Sequence, residues 1–264
     1  MGFISDQYRD SSRLSARFRL HGEFSTSRHS FPQWVFDQFD FEATTSILEI
    51  GSGPGYLWVE NRERVHHAWE IVLADRSFGM LTEAHKNLQD SGLKVRWINS
   101  DAQTLPIDEC AFDVIVANHM LYHVEDRPGV FREICRVMKP EGRLFAATNG
   151  REHLHEIREL IEQFHLNSSI WTHHNDFSLE NGEEQLRGSF ERVSVARFSD
   201  SLEVTDVEPI MAYIQSGFSS SELAANTKGL QAIRMSIGRQ LDNDGVIRIR
   251  KDTGMFIAEK PHPI

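Results

Sequence analysis

The chain has 264 residues, 40% hydrophobic and 25% charged, which is enough to bury a full core without covalent staples. Lys and Arg number 28 against 39 Asp and Glu, a formal charge of -11, which argues against nucleic acid as the main partner, because that affinity rests on Lys and Arg contacts to phosphate. Two cysteines, Cys110 and Cys135, no long apolar run and a charged N-terminal stretch predict reduced thiols, no membrane span, no secretory leader and a cytoplasmic setting.

Residues 3–22 read as a helix with Leu14, Phe18 and His21 along one side, and the aromatic stretch SFPQWVFDQF (30–39) should pack over a core. Strand and helix signals then alternate. SILEI (46–50) is a short apolar run, YLWVENRERV (56–65) reads as helix, and EIVLAD (70–75) as a strand ending in an acid. MLTEAHKNLQ (80–89) is helical, KVRWINS (94–100) and FDVIVA (112–117) are strand candidates, and VFREICRVM (130–138) has helical spacing. KPEG (139–142) is a stop and turn signal before RLFAAT (143–148), the next strand. This alternation predicts an α/β fold with a parallel, doubly wound sheet and a Rossmann-like core ending near residue 150. Beyond it, LHEIRELIEQF (154–164), EPIMAYIQ (208–215) and SELAANTKGLQAIRMSIGRQL (221–241) read as helices, and RVSVARF (192–198) as a strand. VIRIRK and MFIAEK flank DTG (252–254), a hairpin signal.

The stretch ILEIGSGPGYLW (47–58) sets Gly51, Gly53 and Gly55 directly after the first strand. In a doubly wound sheet the ligand lies there, outside the carboxyl ends of the strands. A dinucleotide fingerprint would read G-x-G-x-x-G, with a pyrophosphate on the helix N-terminus. Here Tyr56 takes the place of the third glycine, and Glu49 stands just before the loop. That carboxylate would repel a phosphate and favour a cation. S-adenosylmethionine combines a nucleoside with positive charge and no phosphate.

Glu49-Ile50-Gly51-Ser52-Gly53-Pro54-Gly55 resembles the E-x-G-x-G-x-G motif of class I S-adenosylmethionine-dependent methyltransferases of the small-molecule type. DRSFGML, holding Asp75, Arg76 and Met80, then Asp101-Ala102, NHMLYHV (118–124) and RVMKPEGRLFAATNG follow in the family's order over about residues 44–150. The resemblance implies that Asp75 meets the ribose hydroxyls, Asp101 the adenine amino group, and Met80 the adenine ring. Asn118 would lie against the methyl donor. On the N-terminal helix, Arg17 would meet the methionine carboxylate, with Tyr8 nearby. Plainer uses stay open: Glu49 binding the loop amides, Asp75 capping a helix beside Ser77, Asp101 in an Asx turn, Met80 in helix core.

The family also implies a seven-stranded sheet, mostly parallel with an antiparallel last strand. Residues 1–43 would form a helical lid segment, 44–150 the cofactor-binding core, and 151–264 the remaining strands with helical inserts over the acceptor. His119 and His123 form H-x-x-x-H without the Glu of a zincin, so no metal is expected. They read instead as acceptor-pocket residues, one of them either a general base or a shaper of the pocket. The expected function is methyl transfer to an O, N or C nucleophile of a small molecule, of a kind used in secondary metabolism. The alternatives are methylation of RNA or protein, a cofactor-binding protein without transferase activity, and a nicotinamide oxidoreductase. Asn118-His119-Met120-Leu121 lacks the N-P-P-Y-type tetrad that stacks a flipped base, and the loop spacing disfavours nicotinamide. Monomer and homo-oligomer are left open.

Overall fold

The computed structural model describes residues 12–41, 45–166 and 176–262. Helices α1 (Ser12–Phe24) and α2 (Phe31–Asp37) precede the sheet. A capping box starts α2: Ser30 accepts from the Gln33 amide while the Gln33 side chain accepts from the Ser30 amide, and Pro32 sits in the first turn. Then come β1 (Ser46–Ile50), α3 (Tyr56–Asn61), β2 (Glu70–Asp75), α4 (Phe78–Leu88), β3 (Val95–Asn99), β4 (Phe112–Asn118), α5 (Arg127–Val137) and β5 (Met138–Asn149). The chain continues through α6 (His155–Gln163), α7 (Gly182–Arg187), β6 (Phe190–Phe198) and β7 (Ser201–Val204). It ends in α8 (Val207–Gln215), α9 (Ser220–Ala225), α10 (Thr227–Asp244), β8 (Ile247–Arg250) and β9 (Thr253–Pro261).

Seven strands form one sheet in the order β3-β2-β1-β4-β5-β9-β6. Strands β1 to β5 are parallel, and β9 is antiparallel to both its neighbours, β5 and β6. This is the doubly wound α/β sheet with an antiparallel last strand that the sequence implies. Side chains alternate along the strands, and both faces are covered, as a parallel sheet requires. Leu48, Ile50, Ile115, Ala117 and Leu144 pack on one face with the α5 residues Phe131 and Ile134. Ile47, Val114, Val116 and Phe145 pack on the other with Trp58, Leu57 and Phe36. The strand order reverses between β1 and β4, which opens a crevice at their carboxyl ends.

A third apolar cluster joins Leu20 of α1 to Leu154, Ile157, Leu202, Ile210, Ile214, Ile233, Ile237, Ile247 and Ile249. It forms a lobe of helices around the two-stranded sheet β7-β8. The expected hairpin between β8 and β9 is therefore not made. Ile247 and Ile249 are buried in the lobe, and that burial draws β8 into pairing with β7. The KPEG turn is also absorbed. Phe112 pairs with Met138 and Val114 with Arg143, so residues 139–142 are a bulge inside β5 rather than a break before it. The helix expected at 56–65 stops at Asn61. The buried Asn61 amide donates to the Pro32 and Leu57 carbonyls and ties α3 to α2. The helix expected at 221–241 is split at Asn226, which ends α9 and caps α10. The first half of the expected helix 3–22 lies outside the described residues. No described helix is long and apolar enough to cross a membrane.

Candidate active site

A cavity of about 1400 Å³ opens at the carboxyl ends of β1, β2 and β4. Its floor is the glycine loop. Gly51 has φ +67° and would drive a Cβ to 2.8 Å from Met120 Cβ, so only glycine fits. Gly53, at φ +53°, would carry a Cβ into open space, so its bare backbone faces the cavity. Gly55 stands back from it. There a Cβ would lie 3.3 Å from Ala84 Cβ, so this glycine seats α4 against the loop, while Gly51, Ser52 and Gly53 line the cavity.

Glu49 sits on the sheet face where alternation calls for an apolar side chain. It is 3% exposed and accepts from Trp58 Nε1 at 2.7 Å and Asn118 Nδ2 at 3.2 Å. It does not bind the loop amides. Burial raises its pKa to about 8 against the pull of these two bonds, and nearby Asp75 adds to the rise. Asp75 accepts from the Gly53 amide at 2.9 Å and the Ser77 amide at 2.7 Å. Burial raises its pKa too, against those same bonds. Ser77 itself caps α4 through the Met80 amide. Asp101 makes the Asx turn, accepting from the Gln103 amide at 3.0 Å, and lies 3.7 Å from the Arg76 guanidinium. Both still line the cavity, as do Met80, Ala102 and Asn118. Among the described residues, Asn118 Oδ1 and Ser52 Oγ are enclosed without a hydrogen-bond partner.

His119 and His123 also line it, but not on one helix. His119 has φ +52°, donates its amide to the Ala147 carbonyl at 3.0 Å, and packs its ring at a tilt with its centroid 4.9 Å from that of Phe31. His123 ends a single 3-10 turn, Leu121–His123, with its ring edge-on to Tyr122. Among the described residues no cluster of His, Cys, Asp or Glu is arranged to hold a metal ion. Arg17 reaches the cavity from α1 and donates Nε to Ser216 Oγ at 3.1 Å. Tyr8 lies outside the described residues.

The remaining wall escaped the sequence reading. His21 from α1, Asn149, His153, Tyr213, Lys251 and Thr253 converge there from five segments. The apolar period of α1 signals a helix, yet nothing local signals that His21 would face a ligand cavity. Lys251 and Thr253 flank the turn that carries the chain from β8 to β9, a path no short-range signal foretells.

Residues 48–146 match the family model of a methyltransferase domain. The ubiquinone/menaquinone biosynthesis C-methyltransferase UbiE of Idiomarina loihiensis is 38% identical over 100 residues, 37% of this chain and 40% of that protein. The malonyl-[acyl-carrier protein] O-methyltransferase of Xylella fastidiosa is 26% identical over 172 residues, 62% of this chain and 56% of that protein. The chain thus spans about half the length of these curated relatives. Among solved structures, the [4+2]-cyclase SpnF superposes with a TM-score of 0.62 at 17% identity, covering 98% and 96% of the two chains. A methyltransferase-like protein of Bacillus halodurans gives 0.60 at 15% identity, covering 88% and 99%. These two share the fold. Over residues 48–146 the chain is similar to methyltransferase domains, and its sheet has the Rossmann-like strand order that these folds share.

Proposed function

We propose that the protein transfers the sulfonium methyl of S-adenosylmethionine to an O, N or C nucleophile of a small molecule. The observation that carries the reading is the cavity itself: one space is lined both by the acids Glu49, Asp75 and Asp101 and by the imidazoles of His119 and His123. The residues fit the cofactor. The bare Gly53 backbone leaves room for its amino-acid half, Asn118 Oδ1 and Ser52 Oγ offer enclosed polar atoms, and Asp75 keeps acceptor sites beyond its two amide bonds for ribose hydroxyls. The bound cofactor would supply an electrophilic methyl on a cationic sulfur.

The rest is done by the chain. Glu49, held by Trp58 and Asn118, places a carboxyl group under the cationic end. Phe31, Met120 and Tyr122 help exclude water from the line between nucleophile and methyl, where alignment supplies most of the acceleration. His119 or His123 receives the proton of an acidic acceptor. The α1 wall over the cavity supports a small acceptor rather than a macromolecule. In this reading 44–150 holds the cofactor and supplies His119 and His123 to the acceptor, while residues 1–43 and the helices after 150 form the lid. The thiols of Cys110 and Cys135 support a cytoplasmic setting. Calorimetry with S-adenosylhomocysteine and with NAD tests the cofactor class: micromolar binding of the first is expected, and tighter binding of NAD overturns it.

A further inference from the structure

The wall opposite the glycine loop has its own chemistry. His21 sits between two rings, its centroid 5.8 Å from stacked His153 and 6.1 Å from edge-on Tyr213. Among the described residues, its Nδ1 is enclosed and has no hydrogen-bond partner. Desolvation, with the positive charges of Lys251 and Arg17 nearby, lowers its pKa to about 3, so the ring is neutral and one nitrogen carries a proton. His153 does not compete for that proton through its own Nδ1, which receives the Asp252 amide at 3.3 Å and lies 3.1 Å from Thr253 Oγ1.

Lys251 stands beside this pair with its side chain 5% exposed. Its ammonium pairs with the fully buried Asp200 and lies 5.1 Å from the Phe198 ring centroid. Asp200 is shared among several donors: the Ser25 hydroxyl and the Thr26, Ser27 and Ser201 amides also bond it. One ammonium has three donors, and Asp200 does not use them all. Arg17 adds a second cation to the same wall. Flat groups, Phe31, His119 and Tyr122, line the same cavity in contact with one another.

We propose that the acceptor is a planar molecule bearing an oxyanion, a carboxylate or an ionised phenol or enol, received by the His21 imidazole and the Lys251 ammonium with its flat body against Phe31 and His119. This rests on the methyl-transfer reading for the word acceptor, but not for the site, which stands on its own residues. The cavity is then polarised, with a cation-binding end at Glu49 and Asp75 and an anion-binding end at His21 and Lys251. A cationic amine acceptor is disfavoured at the second end, where it would meet the Lys251 ammonium.

The test uses the full chain, with and without saturating S-adenosylhomocysteine, and four probes: benzoate, 4-nitrophenolate at a pH where it is ionised, benzamide and benzylamine. Calorimetry is expected to show one or both oxyanions binding at least about 10-fold more tightly than benzamide, and benzylamine not binding. Preference for benzoate assigns a carboxylate, and preference for the phenolate assigns a phenol or enol. His21→Phe keeps the stacking and removes the nitrogens. It should retain S-adenosylhomocysteine affinity and lose the oxyanion preference. The paired variant Lys251→Met with Asp200→Asn, which leaves no buried unpaired charge, should do the same. Benzamide binding as tightly as both oxyanions, or both variants keeping the preference, overturns the proposal. A protein that selects oxyanions but ignores S-adenosylhomocysteine overturns the cofactor reading alone.

Discussion

Trp58 donates its indole proton to Glu49 Oε2 at 2.7 Å, within a sheet face otherwise made of Ile47, Val114 and Phe145. The bond holds a carboxyl group in an apolar layer one step from the glycine loop. Burial keeps that group protonated up to about pH 8, although Trp58 and Asn118 both favour the ionised form. A cation beside it reverses the preference.

Cofactor binding should therefore release a proton. At pH 7, calorimetry in buffers of different ionisation enthalpy should report up to one proton released per S-adenosylmethionine, and close to none at pH 9. Glu49→Gln should abolish the release. The sign for the unliganded protein follows from the same shift. The native state holds a proton that the unfolded chain gives up at its ordinary 4.5, so Glu49 favours folding at acid pH. That contribution is lost as pH rises towards 8 and is constant beyond it. No difference in pH dependence between wild type and Glu49→Gln would show that the carboxyl titrates alike in the native and unfolded states.

Asp75 is expected to carry much of the cofactor affinity. Its two amide bonds take one acceptor site on each oxygen, and the outer sites face the cavity. Asp75→Ala should weaken S-adenosylhomocysteine binding by about 1.5–3 kcal/mol, roughly 10–150-fold. Asp75→Asn should lose less, since it keeps one oxygen. Unchanged affinity in a folded Asp75→Ala protein would leave this residue only its role of pinning the loop.

What the sequence made legible is what lies next to strand ends. Asp75 and Asn118 end β2 and β4, Gly51 follows β1 directly, and Gly53 and Asp101 come within three residues of a strand end, so a correct strand places each residue at the cavity. His21, His153 and Lys251 are brought together by tertiary packing alone, and a helix period does not say which side of a helix faces a ligand. Local signals also misled where burial was stronger. The DTG turn was outweighed by Ile247 and Ile249, and KPEG was accommodated as a bulge because β5 continues on both sides of it. For Asp101 the plainer Asx turn and the cavity position are both present, and neither excludes the other.

Helix α1 is more than a cover. Leu20 is fully buried in the third cluster, while Arg17, Phe18 and His21 line the cavity from the same helix. Leu20→Ala should lower stability by about 2–5 kcal/mol, the range for a buried leucine cut to alanine, measured by urea unfolding. An unchanged midpoint would mean that α1 docks on the lobe only when a ligand holds it.

The two histidines after β4 should separate by variant. His119 occupies the left-handed region, with its amide fixed to Ala147 and its ring on Phe31, so its position is set by backbone and packing together. Alanine there would be strained, whereas asparagine tolerates that conformation and keeps a short polar side chain. His119→Asn should raise the acceptor KM with little change in kcat, because a shaping ring has been lost and the reacting geometry kept. His123 ends the 3-10 turn and is not in the left-handed region, so alanine is tolerated there without backbone strain. If it takes the acceptor proton, activity falls on the acid side as the imidazole becomes protonated. His123→Ala should then reduce kcat by about 10²–10⁴-fold, leave S-adenosylhomocysteine affinity unchanged, and remove the acid limb of the pH profile. Loss of the limb in His119→Asn instead would exchange the two roles. Wild-type kcat and an intact limb in both variants would assign the acceleration to alignment in the cavity, with no base among these two residues.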